Sequence, residues 1–170
     1  MDSKVLLEAK NITKNFGLTQ ALKNVSINIE RGEIIGLIGE NGSGKSTFSS
    51  VLSGVYSPTE GKMYLNGEEY HPINTLDAQN QGISMIAQEM GTLSGIGVAD
   101  NIFLGKEEKF THFGIVNREE MYEAAKEVLI RFGIEGINPA EHIAKYSLEE
   151  RKLIEVVRAL YSDPDIFIED

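Results

Sequence analysis

The segment that most constrains this chain is residues 39–46, Gly39-Glu40-Asn41-Gly42-Ser43-Gly44-Lys45-Ser46, which fit G-x-x-x-x-G-K-[ST] without a mismatch. Glycines in such a loop let backbone N–H groups wrap a β-phosphate, and a helix starting near Lys45 would aim its positive N-terminal end at the same group. Lys45 would then bridge the β- and γ-phosphates, and Ser46 would offer its hydroxyl to Mg²⁺. A glycine-rich structural turn is the competing reading, and the flanking residues argue against it. Residues 33–38 (EIIGLI) are nearly continuous in apolar side chains, which predicts a strand covered on both faces in a parallel sheet. After the glycines, Phe48, Val51 and Leu52 fall on one helical face, with Gly54 placed to cap the helix.

The rest of the chain is consistent with an α/β architecture built around that loop. Val5, Leu7 and Ala9, and again Val25, Ile27 and Ile29, alternate with polar neighbours, predicting two half-buried antiparallel strands. Asn66-Gly67 between β-formers predicts a hairpin over 62–70, followed by a short helix near 75–81 and a buried strand at 83–87. Beyond residue 90 the character changes to loop and helix. A short helix is expected over 98–104. A clear one is expected over 117–132, capped by Asn117 with Glu120, buried along Met121, Ala125, Val128, Leu129 and Phe132, and stopped at Gly133. A further helix over 148–160 starts at Ser147, with Leu153, Val156, Val157 and Leu160 as its buried stripe. Residues 166–168 then return to a strand.

Composition narrows the function classes. With 170 residues, 41% of them hydrophobic and 25% charged, the chain has the profile of one globular domain, or one with a small lobe. A net charge of −10 disfavours a nonspecific nucleic-acid binder or a basic membrane-surface protein. The absence of cysteine excludes disulfides, thiolate zinc sites and a cysteine nucleophile, and the three histidines His71, His112 and His142 are too scattered to indicate a metal site. No apolar run approaches the roughly 18–20 residues that cross a bilayer, and no signal-like stretch follows Met1, so a cytoplasmic location is expected.

A P-loop alone names a superfamily, and the remaining motifs refine it. Residues 20–47 (QALKNVSINIERGEIIGLIGENGSGKST) and 82–105 (GISMIAQEMGTLSGIGVADNIFLG) resemble the ATP-binding subunit of ABC transporters, specifically its sugar-importer branch of the ribose, galactose and xylose type. Together with 147–170 the resemblance covers essentially the whole chain. It implies a P-loop NTPase (RecA-like) core with an antiparallel β subdomain and an inserted helical subdomain. Residues 1–90 would hold the P-loop core and β subdomain, 91–150 the helical subdomain, and 151–170 the return to the core, with the C-terminal part of that core missing.

By the same resemblance, Phe16 matches the aromatic residue that stacks on adenine. Gly39, Asn41, Gly42, Ser43, Gly44, Lys45, Ser46 and Thr47 hold the phosphates. Gln88 reaches Mg²⁺ and the attacking water, and Asp170 matches the aspartate that holds Mg²⁺ with Ser46. Lys45 and Gln88 are thus the expected catalytic residues. Ser147 matches the serine of the signature segment, which contacts a second cassette's ATP. Here that segment departs from the family pattern: Tyr146-Ser147-Leu148-Glu149-Glu150 carries two carboxylates where Leu-Ser-Gly-Gly-Gln is usual, so a weakened signature is expected. Ser147 and Glu150 also form an S-x-x-E capping pair.

The function implied is binding of Mg-ATP as the energy-coupling subunit of an ABC importer for a monosaccharide or similar solute. The parent would be an ATPase. The 170-residue chain itself would be inactive, because the glutamate and histidine expected after Asp170 are absent and Glu169 would face the other way on its strand. The implied partners are a second ATPase domain in the same chain or a homodimer, transmembrane permease subunits and, indirectly, a solute-binding protein. No nucleic acid is implied, and the implied location is the inner face of the cell membrane. A non-transport ABC-type ATPase or nucleotide sensor acting on nucleic acid or protein is the alternative.

Overall fold

The computed structural model describes residues 5–86 and 91–169. The chain divides into two compact units, residues 1–81 and 82–170.

The first unit is built on a four-stranded antiparallel sheet. Strand β1 (Val5–Phe16) lies between β2 (Thr19–Glu30) and β3 (Glu60–Leu65), and β4 (Glu68–Tyr70) extends the far edge, in the order β2-β1-β3-β4. The alternation read from the sequence sets the register: Leu7 faces Ile29, Ala9 faces Ile27 and Ile12 faces Val25. Leu7, Ala9 and Ile12 are buried, as are Met63 and Leu65 of β3. Asn66 and Gly67 both adopt positive φ, 55° and 82°, as a two-residue hairpin turn whose twist matches its strands requires.

Helix α1 (Lys45–Leu52) buries Phe48, Val51 and Leu52 as expected, and Gly54 follows its C-terminus at φ 75°. The Tyr70 hydroxyl donates to the Leu52 carbonyl at 2.7 Å, tying the end of α1 to β4. Helix α2 (Thr75–Asn80) is capped by Asn74, whose side chain accepts from the Asp77 N–H.

The strand expected over residues 33–38 is not formed. These residues belong to no ladder among the described residues, and Ile34 and Ile38 are 99% and 98% exposed. A two-faced buried strand is defined by neighbours on both edges, and apolar content alone cannot supply them.

In the second unit, β5 (Ile83–Ile86) pairs in parallel with β8 (Ile166–Glu169). A parallel pair needs a long crossover, and helices α3 (Val98–Ile102), α4 (Arg118–Arg131) and α5 (Leu148–Leu160) lie in the chain between the two strands. Their common core includes Val98, Ile102, Phe103, Met121, Leu129, Ile143, Ile154 and Val157. A small hairpin, β6 (Thr111–His112) with β7 (Ile115–Val116), was not indicated by the sequence, because two-residue strands leave no periodicity to read.

The buried face of α5 differs from the apolar stripe expected. Ile154, Glu155, Val157 and Ala159 face inward and Leu153 is 46% exposed. Glu155 occupies the inside because Lys152 and Arg158 pair with it, at 3.1 Å and 3.9 Å, which hydropathy counting cannot anticipate.

Candidate nucleotide-binding site

The loop at 39–46 is shaped by its glycines. Residues 41–44 form consecutive turns, and α1 begins at Lys45 directly behind Gly44. Gly42 and Gly44 lie at φ 82° and 94°, in the left-handed region where L side chains are strained. A Cβ on Gly44 would also sit 2.6 Å from the Ala21 carbonyl oxygen and 2.8 Å from Leu22 Cδ2. The start of β2 therefore presses against the loop, and only glycine fits between them. At Gly39 a Cβ would lie 2.7 Å from Ser43 Oγ. The Ser43 N–H donates to the Glu40 carbonyl at 3.1 Å, closing the turn around Asn41 and Gly42.

The N-terminus of α1 has no side-chain cap and no acidic residue in its first turn. Helix N-termini are ordinarily capped by a local oxygen, so an end without one, bordered by a glycine loop, suits an external anion. The Lys45 ammonium donates back across the loop to the carbonyls of Gly39 and Glu40, each at 2.9 Å. Its charge thus lies over the loop. Ser46 occupies the second position of the helix and Thr47 the third.

Phe16 ends β1 and is 42% exposed, next to the turn that leads into β2. Its ring meets Tyr56 edge-on, with centroids 5.0 Å apart at 78°. The Lys14 ammonium lies 5.1 Å from the Phe16 centroid and 5.4 Å from that of Tyr56, and it donates to the Ser57 carbonyl at 2.7 Å. Tyr56 and Lys14 were missed by the sequence reading. The i, i+2 spacing of Lys14 and Phe16 placed both on one strand face and was a usable signal. Tyr56 comes from beyond α1 and left none.

Ser147 caps α5 as its sequence indicated. Its Oγ accepts from the Glu150 N–H at 3.2 Å, and its own N–H donates to Glu150 Oε2 at 2.8 Å, completing the capping box. Gln88 and Asp170 lie outside the described residues. Among the described residues no group of three or more His, Cys, Asp or Glu side chains could hold a metal ion. The side-chain oxygens of Ser46, Gln88 and Asp170, the residues expected from the sequence to hold Mg²⁺, are hard donors of the kind a divalent cation prefers.

The glycine loop, the uncapped helix end and the lysine lying across it define a phosphate-binding cassette, and similarity to known proteins agrees. The family model described as ABC transporter matches residues 22–170, and the chain belongs to that family. It is 39% identical over its full length to a ribose import ATP-binding protein of Escherichia coli, and 41% identical over 97% of its length to a xylose import ATP-binding protein of Histophilus somni. It spans 33% and 32% of those proteins, about a third of their length. Among solved structures, a nucleotide-free ATP-binding cassette from an ABC transporter superposes with TM-score 0.78 at 26% identity, over 98% of this chain and 68% of that one. A dimeric post-hydrolysis cassette bound to ADP and Pi gives TM-score 0.75 at 26% identity, over 97% and 73%. The fold is therefore that of the ABC ATPase cassettes, an α/β P-loop NTPase of which the chain forms part. Among the described residues no helix is long and apolar enough to cross a membrane.

Proposed function

We propose that this chain is the Mg-ATP-binding part of an ABC importer for ribose, xylose or a similar small sugar. The observation that carries the reading is Lys45 lying across a glycine-opened loop at an uncapped helix end. The 39–41% identity to ribose and xylose import ATP-binding proteins supports the choice of solute class.

In this reading the phosphates rest on the loop from Gly39 to Thr47. Lys45 exchanges its two carbonyl partners for β- and γ-phosphate oxygens, a swap of neutral acceptors for charged ones that favours the nucleotide. Adenine stacks on Phe16, whose ring Tyr56 and Lys14 hold in place. Ser46, Gln88 and Asp170 are the residues that would hold Mg²⁺, which would supply positive charge against the β- and γ-phosphates. Gln88 also orients the attacking water.

The partners are a second ATP-binding cassette and transmembrane permease subunits, served by a solute-binding protein. The site of action is the cytoplasmic face of the cell membrane. Equilibrium binding of Mg-ATP to the purified chain, compared with Lys45→Ala, tests the core of the proposal. Equal affinity in the two would overturn it.

A further inference from the structure

The N-terminal end of α5 is unlike that of α1. At α1 no side chain caps the helix, whereas at α5 the Ser147 hydroxyl caps it and the Glu150 carboxylate completes a capping box. Glu150 Oε2 accepts the Ser147 N–H at 2.8 Å, and Ser147 Oγ accepts the Glu150 N–H at 3.2 Å. The Ser147 N–H and hydroxyl and the Glu150 N–H are thereby engaged within the chain. Glu149 adds a second negative charge in the same turn. Its own backbone N–H and the Ser147 hydroxyl hold its carboxyl below the usual carboxylate range, so it is ionised at neutral pH.

Among the described residues no lysine or arginine forms an ion pair with either of these carboxylates. Arg151 turns its guanidinium backward onto the carbonyls of Tyr146 at 2.9 Å and Ala144 at 3.0 Å. Lys145 pairs with Glu141 at 2.9 Å and Lys152 with Glu155 at 3.1 Å. A carboxylate at a helix N-terminus occupies the place a phosphate would take, and like charges in one site disfavour one another.

We propose that this helix end is closed to phosphate by its own carboxylates, so that the chain brings a nucleotide-holding loop to a pair of cassettes but no helix end that grips the partner's nucleotide. The inference rests on the cassette reading above. The two glutamates act differently. Glu150 fills the end of the helix, and Glu149 repels what would approach it. Glu150→Gln keeps the capping box and removes one charge, whereas Glu150→Ala removes the plug itself.

The experiment uses the full-length protein containing these residues, loaded with a fluorescent ATP analogue and Mg²⁺, with nucleotide release followed by stopped flow. The double variant Glu149→Gly/Glu150→Ala should gain a population released about tenfold more slowly, as the opened helix end closes over a second nucleotide. Wild type and Glu150→Gln should lack it. Far-UV circular dichroism of the double variant shows that α5 is retained, and if it is lost, Glu149→Gly with Glu150→Ser, whose side chain is too short to fill the helix end, replaces it with the same slow population expected. A slow population already present at full amplitude in wild type, or absent from every folded variant, overturns the proposal. Lys45→Ala serves as the separate control: unchanged nucleotide binding there would sink the cassette reading itself.

Discussion

The ammonium of Lys45 lies 2.9 Å from the carbonyl oxygen of Gly39, six residues before it, and at the same distance from that of Glu40. Both acceptors are backbone groups of a turn that its own glycines already shape, so the lysine's charge is held ready rather than consumed by a carboxylate. Lys45→Ala should lower affinity for Mg-ATP about a hundredfold, the scale of losing one or two charge-assisted hydrogen bonds to phosphate. The thermal midpoint should move by less than about 3 °C, since two neutral hydrogen bonds at the surface carry little net stability. Isothermal titration and a melting curve on the same sample check both.

Gly44 and Gly42 share a left-handed backbone but not the same surroundings. At Gly44 an added methyl meets the Ala21 carbonyl, while at Gly42 nothing lies within 4 Å. Gly42→Ala should cost about 1 kcal/mol of unfolding free energy through backbone strain alone. Gly44→Ala should cost about 2–4 kcal/mol, because either β2 or the start of α1 must shift, and it should abolish nucleotide binding. Urea denaturation of the two variants side by side measures the difference, and equal costs would mean that the contact with Ala21 is immaterial.

Phe16 is the proposed adenine platform, braced by Tyr56 and Lys14. Phe16→Ala should weaken ATP binding about tenfold while leaving inorganic triphosphate unaffected, because only the base loses its contact. Competition between ATP and triphosphate for the loop reads this out directly. A parallel loss for both ligands would place the residue's role in folding.

Tyr70 is 2% exposed and donates its hydroxyl to the Leu52 carbonyl at 2.7 Å. Tyr70→Phe leaves that carbonyl without this donor and should cost about 1–2 kcal/mol. Burial pushes the phenol above its ordinary value of 10.0. The neutral form is the one the fold accommodates, so its contribution is complete below pH 10 and is lost as pH rises toward the higher folded value. Alkaline unfolding should therefore be shallower in Tyr70→Phe than in wild type.

What the sequence disclosed was what local chemistry determines. The P-loop, the Asn66-Gly67 turn, the Asn117 and Ser147 caps and the register of Leu7 and Ala9 each depend on residues a few positions apart or on strict alternation, and each is present. What it did not disclose depends on distant partners. Residues 33–38 look like a buried strand because their side chains are apolar, yet a strand exists only where another lies beside it. Glu155 is inside α5 because Lys152 and Arg158 neutralise it, and a hydropathy stripe puts Leu153 there instead. The bracing of Phe16 by Tyr56 joins residues on either side of α1, a relationship that no pattern along the chain encodes.

Upstream of α5, Glu141 accepts from the Lys145 ammonium and from the Tyr146 hydroxyl, each at 2.9 Å. These bonds hold its carboxyl below the ordinary value of 4.5. The charged form is thus favoured in the folded chain, so the contribution of Glu141 is present above pH 4.5 and is lost as pH falls through the lower folded value. Glu141→Gln keeps an acceptor for both donors but carries no proton equilibrium. Its stability should fall less steeply than that of wild type on acidification below pH 4.5, with the difference small because the pair is exposed to solvent. The Tyr146 hydroxyl also accepts from the Asn138 N–H at 2.8 Å, so this contact positions the loop that leads into Ser147. Amide exchange at Asn138, followed from pH 6 down to pH 3, should accelerate in wild type and stay flat in Glu141→Gln once corrected for intrinsic rates. Identical profiles in the two proteins would show that Glu141 does not govern the acid response of this loop.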